Sequence, residues 1–293
     1  MSPRLQAVLL TFFAVMLWGI APVGTRYLLG DNHAALPGAP FAALRYGMAS
    51  VCFFPWLVQA LRSWSKRDLL LGALCGVLGV MGYNLPNSIG NRTVSAGMVG
   101  LLNATEPLII VLLVSLRSRR VPGIWTFLAA VVGFAGIVLL ARSAGPAEGD
   151  ALGITLVLFA AFNWSCYCVL IPPLLVARSA LQVSAVAMTA GTLPMLLVGA
   201  PGMSHMLAMM DATRWEISVA LALGPSMIAM VAWTKGSAAL GAEASGWFLY
   251  LLPVFAAGGG AMVLGEPLTA VELLGGGLIL FSVFISQRGP SAR

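Results

Sequence analysis

The sequence predicts an all-α integral membrane protein. It has ten transmembrane helices, arranged as a 5+5 inverted-topology repeat with both termini cytoplasmic. Three observations predict this. The chain is 59% hydrophobic and 9% charged, where soluble domains run about 45–50% apolar and about 25% charged. Its apolar residues gather into ten runs, each near the ~20 residues a helix needs to cross a bilayer core. The second half also matches the first at one constant offset of 146 residues.

In order, the runs are 5–29, 39–61, 68–90, 94–116, 122–142, 151–176, 180–200, 214–236, 240–263 and 267–287. Between them fall "GDNHAALPGAP", "RSWSKRD", "RSRRVPG", "ARSAGPAEGD", "GAPGMSH" and "LGEPLT", clusters of Gly, Pro and charge as turns require. The runs are too long for barrel strands and do not alternate. The first, Leu5 to Leu29, exceeds the ~7–15 residues of a signal-peptide core and has no small-residue cleavage site after it, so it is expected to be the first span.

Orientation follows from Lys and Arg, which accumulate on cytoplasmic loops. With the N-terminus inside, 11 basic residues face the cytoplasm: Arg4, Arg62, Lys66, Arg67, Arg117, Arg119, Arg120, Arg178, Lys235, Arg288 and Arg293. Only 4 face outward: Arg26, Arg92, Arg142 and Arg214. The outer segments carry Asp31, Glu148, Asp150, Asp211 and Glu216 instead. The basic pI is thus a topology signal rather than a sign of nucleic-acid binding. Cys52, Cys75, Cys166 and Cys168 all lie in apolar runs and read as small buried hydrophobes. No cofactor or metal is called for.

The offset of 146 aligns Trp18 with Trp164, Met81 with Met227, Gly90 with Gly236 and Gly100 with Gly246. It also aligns Pro107 with Pro253 and Arg142 with Arg288. The units are therefore 1–146 and 147–293. Five spans is an odd number, so the second unit enters the membrane from the opposite side. Inverted repeats are a recurring architecture of secondary transporters, whose sites sit near the midplane at the repeat interface.

Helix centres then select candidates. Glu106, followed by Pro107, lies at mid-depth in span 4. An ionisable group there costs about 2.5–3.5 kcal/mol on insertion scales and is expected to face a cavity or a partner. Asn103 shares its face three residues earlier, and Gly100 extends that face. Glu106 reads as an amine ligand or proton carrier, or else as a protonated hydrogen-bonding contact between helices. Pro107 frees a carbonyl one turn earlier. On span 3, Gly76, Gly79, Tyr83 and Asn87 recur at helical spacing, the glycines leaving room and the Tyr and Asn supplying polar tips. Trp18 and Trp164 are too deep for an interfacial belt and are expected to line a cavity, with Asn163 beside Trp164. Span 8 presents Ser226, Met230 and Trp233 on one face, and span 9 Glu243, Trp247 and Tyr250. Such a wall suits a flat, partly apolar ligand with a polar end. Tyr83, Trp233 and Trp247 read equally well as interfacial belt residues.

Other charges read as structural. Arg45, in the outer third of span 2, is expected to snorkel. Lys235 and Glu243 flank a turn. Glu266 and Pro267 open span 10, as an acid and a proline suit a first helical turn. His33 and His205 fall in outer loops. There is no phosphate-binding loop and no H-E-x-x-H helix, so transport would be secondary or facilitated.

At this point "LWGIAPVGTRYLL", "SAGMVGLLNATEPLIIVLL" and "LLPVFAAGGGAMVLGEPLTAVELLGGGLIL" resemble the drug/metabolite transporter superfamily, EamA branch, over essentially the whole chain. The first unit departs from the branch pattern, reading "RSRRVPG" where the acid of "GEPLT" would fall. Within the branch the chain is most similar to YddG-type exporters of aromatic and other neutral amino acids in the bacterial inner membrane. The resemblance implies an alternating-access cavity built by the first four helices of each half, outward movement of amino acids, and tolerance of some drug-like compounds.

The expectation is therefore a small-molecule exporter embedded in the lipid bilayer, its sequence compatible with a monomer and not deciding the oligomeric state. Trp18, Trp164 and Tyr83 would contact the apolar part of an amino acid, and Asn84, Asn87, Asn103, Glu106 and Asn163 its amine and carboxylate. Two alternatives stand beside it. One is a lipophilic-cation exporter with Glu106 as counter-charge. The other is a non-transporting scaffold or lipid-modifying enzyme.

Overall fold

The computed structural model describes residues 2–29, 36–90, 93–94, 96–119, 121–143, 149–264 and 269–286. Asp31, His33, Arg92, Arg120, Glu148, Glu266, Pro267, Arg288 and Arg293, used in the sequence reading, lie outside the described residues. The described residues form helices at all ten predicted positions.

Span 1 is Pro3–Leu29, span 3 Lys66–Gly90, span 5 Ile124–Ser143, span 7 Ala180–Gly199, span 8 Ala212–Leu240 and span 10 Ala270–Ser286. Span 6 is Ala151–Leu175. Span 2 is a pair, Gly38–Cys52 and Phe54–Ser63, bent by 63°; Pro55, at the start of the second piece, has no N–H to bond back into the first. Span 4 is Ala96–Asn103 followed by Glu106–Ser118. Span 9 is Ala242–Gly246, a 3₁₀ segment Trp247–Leu251, and Leu252–Leu264. Among the described residues 7 helices are individually long and apolar enough to cross a membrane, and the bent pair makes 8. Span 9 is interrupted, and span 10 has only 17 residues.

Several starts are set by local sequence. Ser65 accepts a hydrogen bond from the Asp68 N–H at 3.2 Å to cap span 3. Asp211, its counterpart 146 residues on, accepts from the Arg214 N–H at 2.8 Å to cap span 8. Asp150 and Ser179 cap spans 6 and 7 in the same way.

The packing has the pattern a two-fold exchange of the halves requires. Span 2 packs on span 7, span 5 on span 10, and span 4 on span 9, each pair mapping onto itself. Span 1 packs on spans 8 and 9, as span 6 packs on spans 3 and 4. At the crossing of spans 5 and 10 a Cβ on Gly136 would lie 2.7 Å from the Gly275 carbonyl oxygen, and one on Gly275 2.9 Å from that of Gly136. Small residues there let two backbones touch.

The helix irregularities are also paired. Span 3 contains a π-helical stretch at Val77–Met81, and span 8 one at Ala222–Ile228, the same place at an offset of 146. Span 4 breaks at Ala104–Thr105, just before Pro107, and the 3₁₀ stretch of span 9 ends just before Pro253. Proline and π-turns are the recognised causes of such breaks. All four cluster at mid-depth around one cavity.

Candidate functional site

That cavity has a volume of about 800 Å³. Its walls begin at Trp18 on span 1 and run to Leu29, taking in Arg45 and Tyr46 of span 2, Gly79 to Asn87 of span 3, and Val99 to Glu106 of span 4. Val94, Ile137, Trp164, Met188, Pro225, Ser226, Met230 and span 9 from Leu249 to Ala256 complete it. It thus extends from mid-depth toward the ends of spans 1 and 3 and the starts of spans 2 and 4, away from the N-terminal end of span 1. Beneath Trp18 and Trp164 the opposite side is closed by Trp233 and Tyr167, each 0% exposed, whereas Tyr250 is buried against Gly133 of span 5 and Ser282 of span 10.

Of the sequence candidates, Trp18, Gly79, Tyr83, Asn84, Asn87, Asn103, Glu106, Trp164, Ser226 and Met230 stand on the wall. Four do not. Trp233 lies beneath the Trp18–Trp164 pair, Trp247 and Tyr250 are buried away from the cavity with Tyr250 against Gly133 of span 5 and Ser282 of span 10, and Asn163 is 5% exposed behind the wall, donating to the Phe159 carbonyl at 2.8 Å. The belt reading of Trp233 and Trp247 also fails, because both are buried in protein rather than set at a lipid surface. The span 3 glycines differ from expectation in purpose. A Cβ on Gly76 would strike the Ala187 carbonyl of span 7, and one on Gly79 would lie 2.6 Å from the Tyr167 ring. Their missing side chains make room for neighbouring helices rather than for a ligand. Gly100 is the one that leaves room, since a Cβ there meets nothing within 4 Å.

The floor of the cavity is aromatic. Trp18 and Trp164 meet edge-on with ring centres 5.3 Å apart, and Tyr83 lies 5.5 Å from Trp164. Below them, Trp164 stacks on Tyr167 at 4.9 Å and Trp233 approaches Trp18 at 5.4 Å. Trp18 donates its indole N–H to the Pro225 carbonyl at 2.8 Å, filling an acceptor in the π-helical stretch of span 8. In span 3, Asn84 fills the corresponding role by donating to the Val80 carbonyl at 2.7 Å while accepting from the Tyr46 hydroxyl at 2.6 Å.

Above the floor the wall carries polar atoms with no partner. The side-chain oxygens of Asn87 and Asn103, Oε1 of Glu106 and Nε1 of Trp164 are shielded from solvent and unpaired. Glu106 is 1% exposed. Orphaned buried polar atoms are rare and costly, and these four belong to residues of one cavity wall.

The pattern of the EamA-like transporter family matches residues 5–142 and matches again at 151–287. The chain belongs to the EamA-like transporter family. A protein named as an uncharacterized transporter, YdfC of Bacillus subtilis, is 29% identical over 263 residues, covering 89% of this chain and 84% of that one. A probable terminal-alkyne amino-acid exporter of Streptantibioticus cattleyicolor is 34% identical over 230 residues, covering 78% and 76%. A solved crystal structure shares the fold with a TM-score of 0.76 at 20% identity, each chain covered to 96%. The protein is a multi-pass membrane transporter, and the cavity is its candidate substrate site.

Three features of this EamA transporter, two on the cavity wall and one on the far side, were not assigned to the site from the sequence. Tyr46 is a wall residue, and its only signal was its place beside Arg45. Arg45 turns its guanidinium into the cavity instead of snorkelling to the surface. On the plugged side, Arg178 forms an ion pair with Asp68 at 2.7 Å and lies over the Trp64 ring at 5.5 Å, tying the 2–3 turn to the 6–7 turn. No sequence spacing joins residues 110 apart.

Proposed function

We propose that this transporter exports α-amino acids, aromatic and other neutral ones, across a bacterial inner membrane by alternating access, with both termini in the cytoplasm. The observation that carries the reading is the division of the cavity: an indole and phenol floor beneath unpaired amide and carboxyl oxygens. An aromatic or aliphatic side chain fits the floor, and an ammonium group satisfies the oxygens. The volume of about 800 Å³ falls within the ~300–1,000 Å³ usual for small-molecule sites. The amino-acid exporter among the relatives supports the same substrate class.

In the proposed orientation the cavity faces outward, and Trp233 and Tyr167 close the cytoplasmic side. Exchange of the two halves' conformations moves the opening to that side, where Trp233 and Tyr167 become the entry wall for cytoplasmic substrate.

The test is uptake of radiolabelled phenylalanine, tryptophan, threonine, methionine and glutamate into liposomes holding the purified protein, with and without a pH gradient. Saturable movement of the neutral amino acids is expected. A second reading, a lipophilic-cation exporter, rests on the unpaired Glu106 oxygen. Movement of cationic dyes with no movement of any amino acid would establish it in place of the first.

A further inference from the structure

Arg45 is not accounted for by the aromatic floor or by Glu106. It sits in the third turn of the first piece of span 2, half-buried on the cavity wall. Its Nε donates to Ser226 Oγ at 2.9 Å across the gap to span 8. Its guanidinium lies 5.2 Å from the centre of the Tyr46 ring. These two contacts fix the plane of the group and leave both terminal nitrogens without a protein partner among the described residues. No carboxylate of those residues pairs with it. Among the described wall residues Arg45 and Glu106 alone carry charge, and Glu106 is 1% exposed.

We propose that Arg45 is the carboxylate receptor of the cavity, so that a substrate must carry a free carboxylate. A guanidinium held through Nε presents its two terminal N–H₂ groups as donors to a planar anion. The cavity then has two poles: the guanidinium of Arg45 on span 2, and the unpaired oxygens of Asn87, Asn103 and Glu106 on spans 3 and 4. A zwitterion satisfies both. A lipophilic cation satisfies one and meets an uncompensated positive charge at the other. Sequence symmetry sharpens the assignment. The counterpart of Arg45 in the second half is Gly191, where a Cβ would strike the Gly76 carbonyl and approach Val80, the counterpart of Ser226. One copy thus closes spans 3 and 7 together through glycine, and the other places a guanidinium between spans 2 and 8. The inference rests on the amino-acid reading for the ligand's amine and is independent of it for the acid.

The experiment compares two half-ligands, 3-phenylpropanoate (acid without amine) and phenethylamine (amine without acid). Each competes with radiolabelled phenylalanine uptake in liposomes, and radiolabelled 3-phenylpropanoate is also bound directly to purified protein. In the wild type the acid is expected to compete at about tenfold lower concentration than the amine, the margin of a charge-assisted bidentate contact. Arg45→Gln should abolish that preference and the direct binding, and Arg45→Lys, a charge without the fork, should restore part of both. Equal or better competition by the amine in the wild type overturns the proposal, even if the variants fail to fold. So does an acid preference that survives Arg45→Gln. If phenylalanine is not moved while the acid binds wild type and not Arg45→Gln, the receptor stands and the amino-acid reading falls. If phenylalanine is moved and Arg45→Gln keeps the acid preference, the reverse holds. Absence of both transport and binding overturns both.

Discussion

Trp18 and Trp164 occupy the same position in the two halves and meet edge-to-face, 5.3 Å apart, yet only Trp18 has a hydrogen bond. Its indole N–H reaches the Pro225 carbonyl at 2.8 Å. The Trp164 N–H has no partner, although the equivalent carbonyl would be that of Gly79. The difference predicts unequal effects of the same substitution. Trp18→Phe strands a buried carbonyl and should cost about 1–3 kcal/mol. Trp164→Phe removes no such bond and should melt closer to wild type while weakening substrate binding. Thermal unfolding in detergent, set beside the KM for uptake, checks both.

Glu106→Gln keeps the shape of the side chain and removes its charge. Export should fall by at least about tenfold, equivalent to ~1.4 kcal/mol of lost transition-state interaction, with the protein still folded. Wild-type rates in this variant would remove Glu106 from the mechanism. If a pH gradient drives wild-type uptake, the variant should also lose that dependence.

The Asp68–Arg178 pair links two turns on the plugged side. Asp68→Asn should loosen that side. Native cysteines report it, because Cys75 and Cys168 are 0% and 2% exposed within the plugged half. With Cys52 and Cys166 changed to Ser, Asp68→Asn should speed maleimide labelling of the remaining two. The charge swap Asp68→Arg with Arg178→Asp should slow it again. Unchanged labelling would show that the pair does not hold the closure.

Two glycines should respond in opposite ways. Gly100 has open space where its side chain would stand, whereas a Cβ on Gly76 would collide with the Ala187 carbonyl. Gly100→Leu should fold and should slow tryptophan and phenylalanine more than threonine. Gly76→Ala should reduce the yield of folded protein, because backbone at a helix crossing cannot give way as a side-chain tip can. Similar expression and monodispersity of the two variants would contradict this contrast.

Much of this molecule is legible without coordinates. Span number, the 146-residue repeat and the break at Pro107 follow from hydropathy and proline chemistry, because a bilayer forces each crossing to satisfy its own backbone hydrogen bonds. Deep polar residues such as Glu106 and Asn103 stand out for the same reason. Depth alone does not say which face of a helix meets the cavity. Trp233 and Trp247 read in the sequence as either cavity wall or interfacial belt, and both are buried in protein off the cavity wall.

What the sequence determined by itself was therefore the membrane fold, its duplication and the short list of deep polar and aromatic side chains. Each depends on composition, period or offset, which are properties of the linear chain. Only the tertiary structure decided that Arg45 meets Ser226 across 181 positions, that Gly79 makes room for Tyr167 and that Asp68 pairs with Arg178. The physical reason is that two related halves pack against each other in one asymmetric arrangement. Equivalent positions in the sequence then acquire different neighbours, and the neighbours set the chemistry.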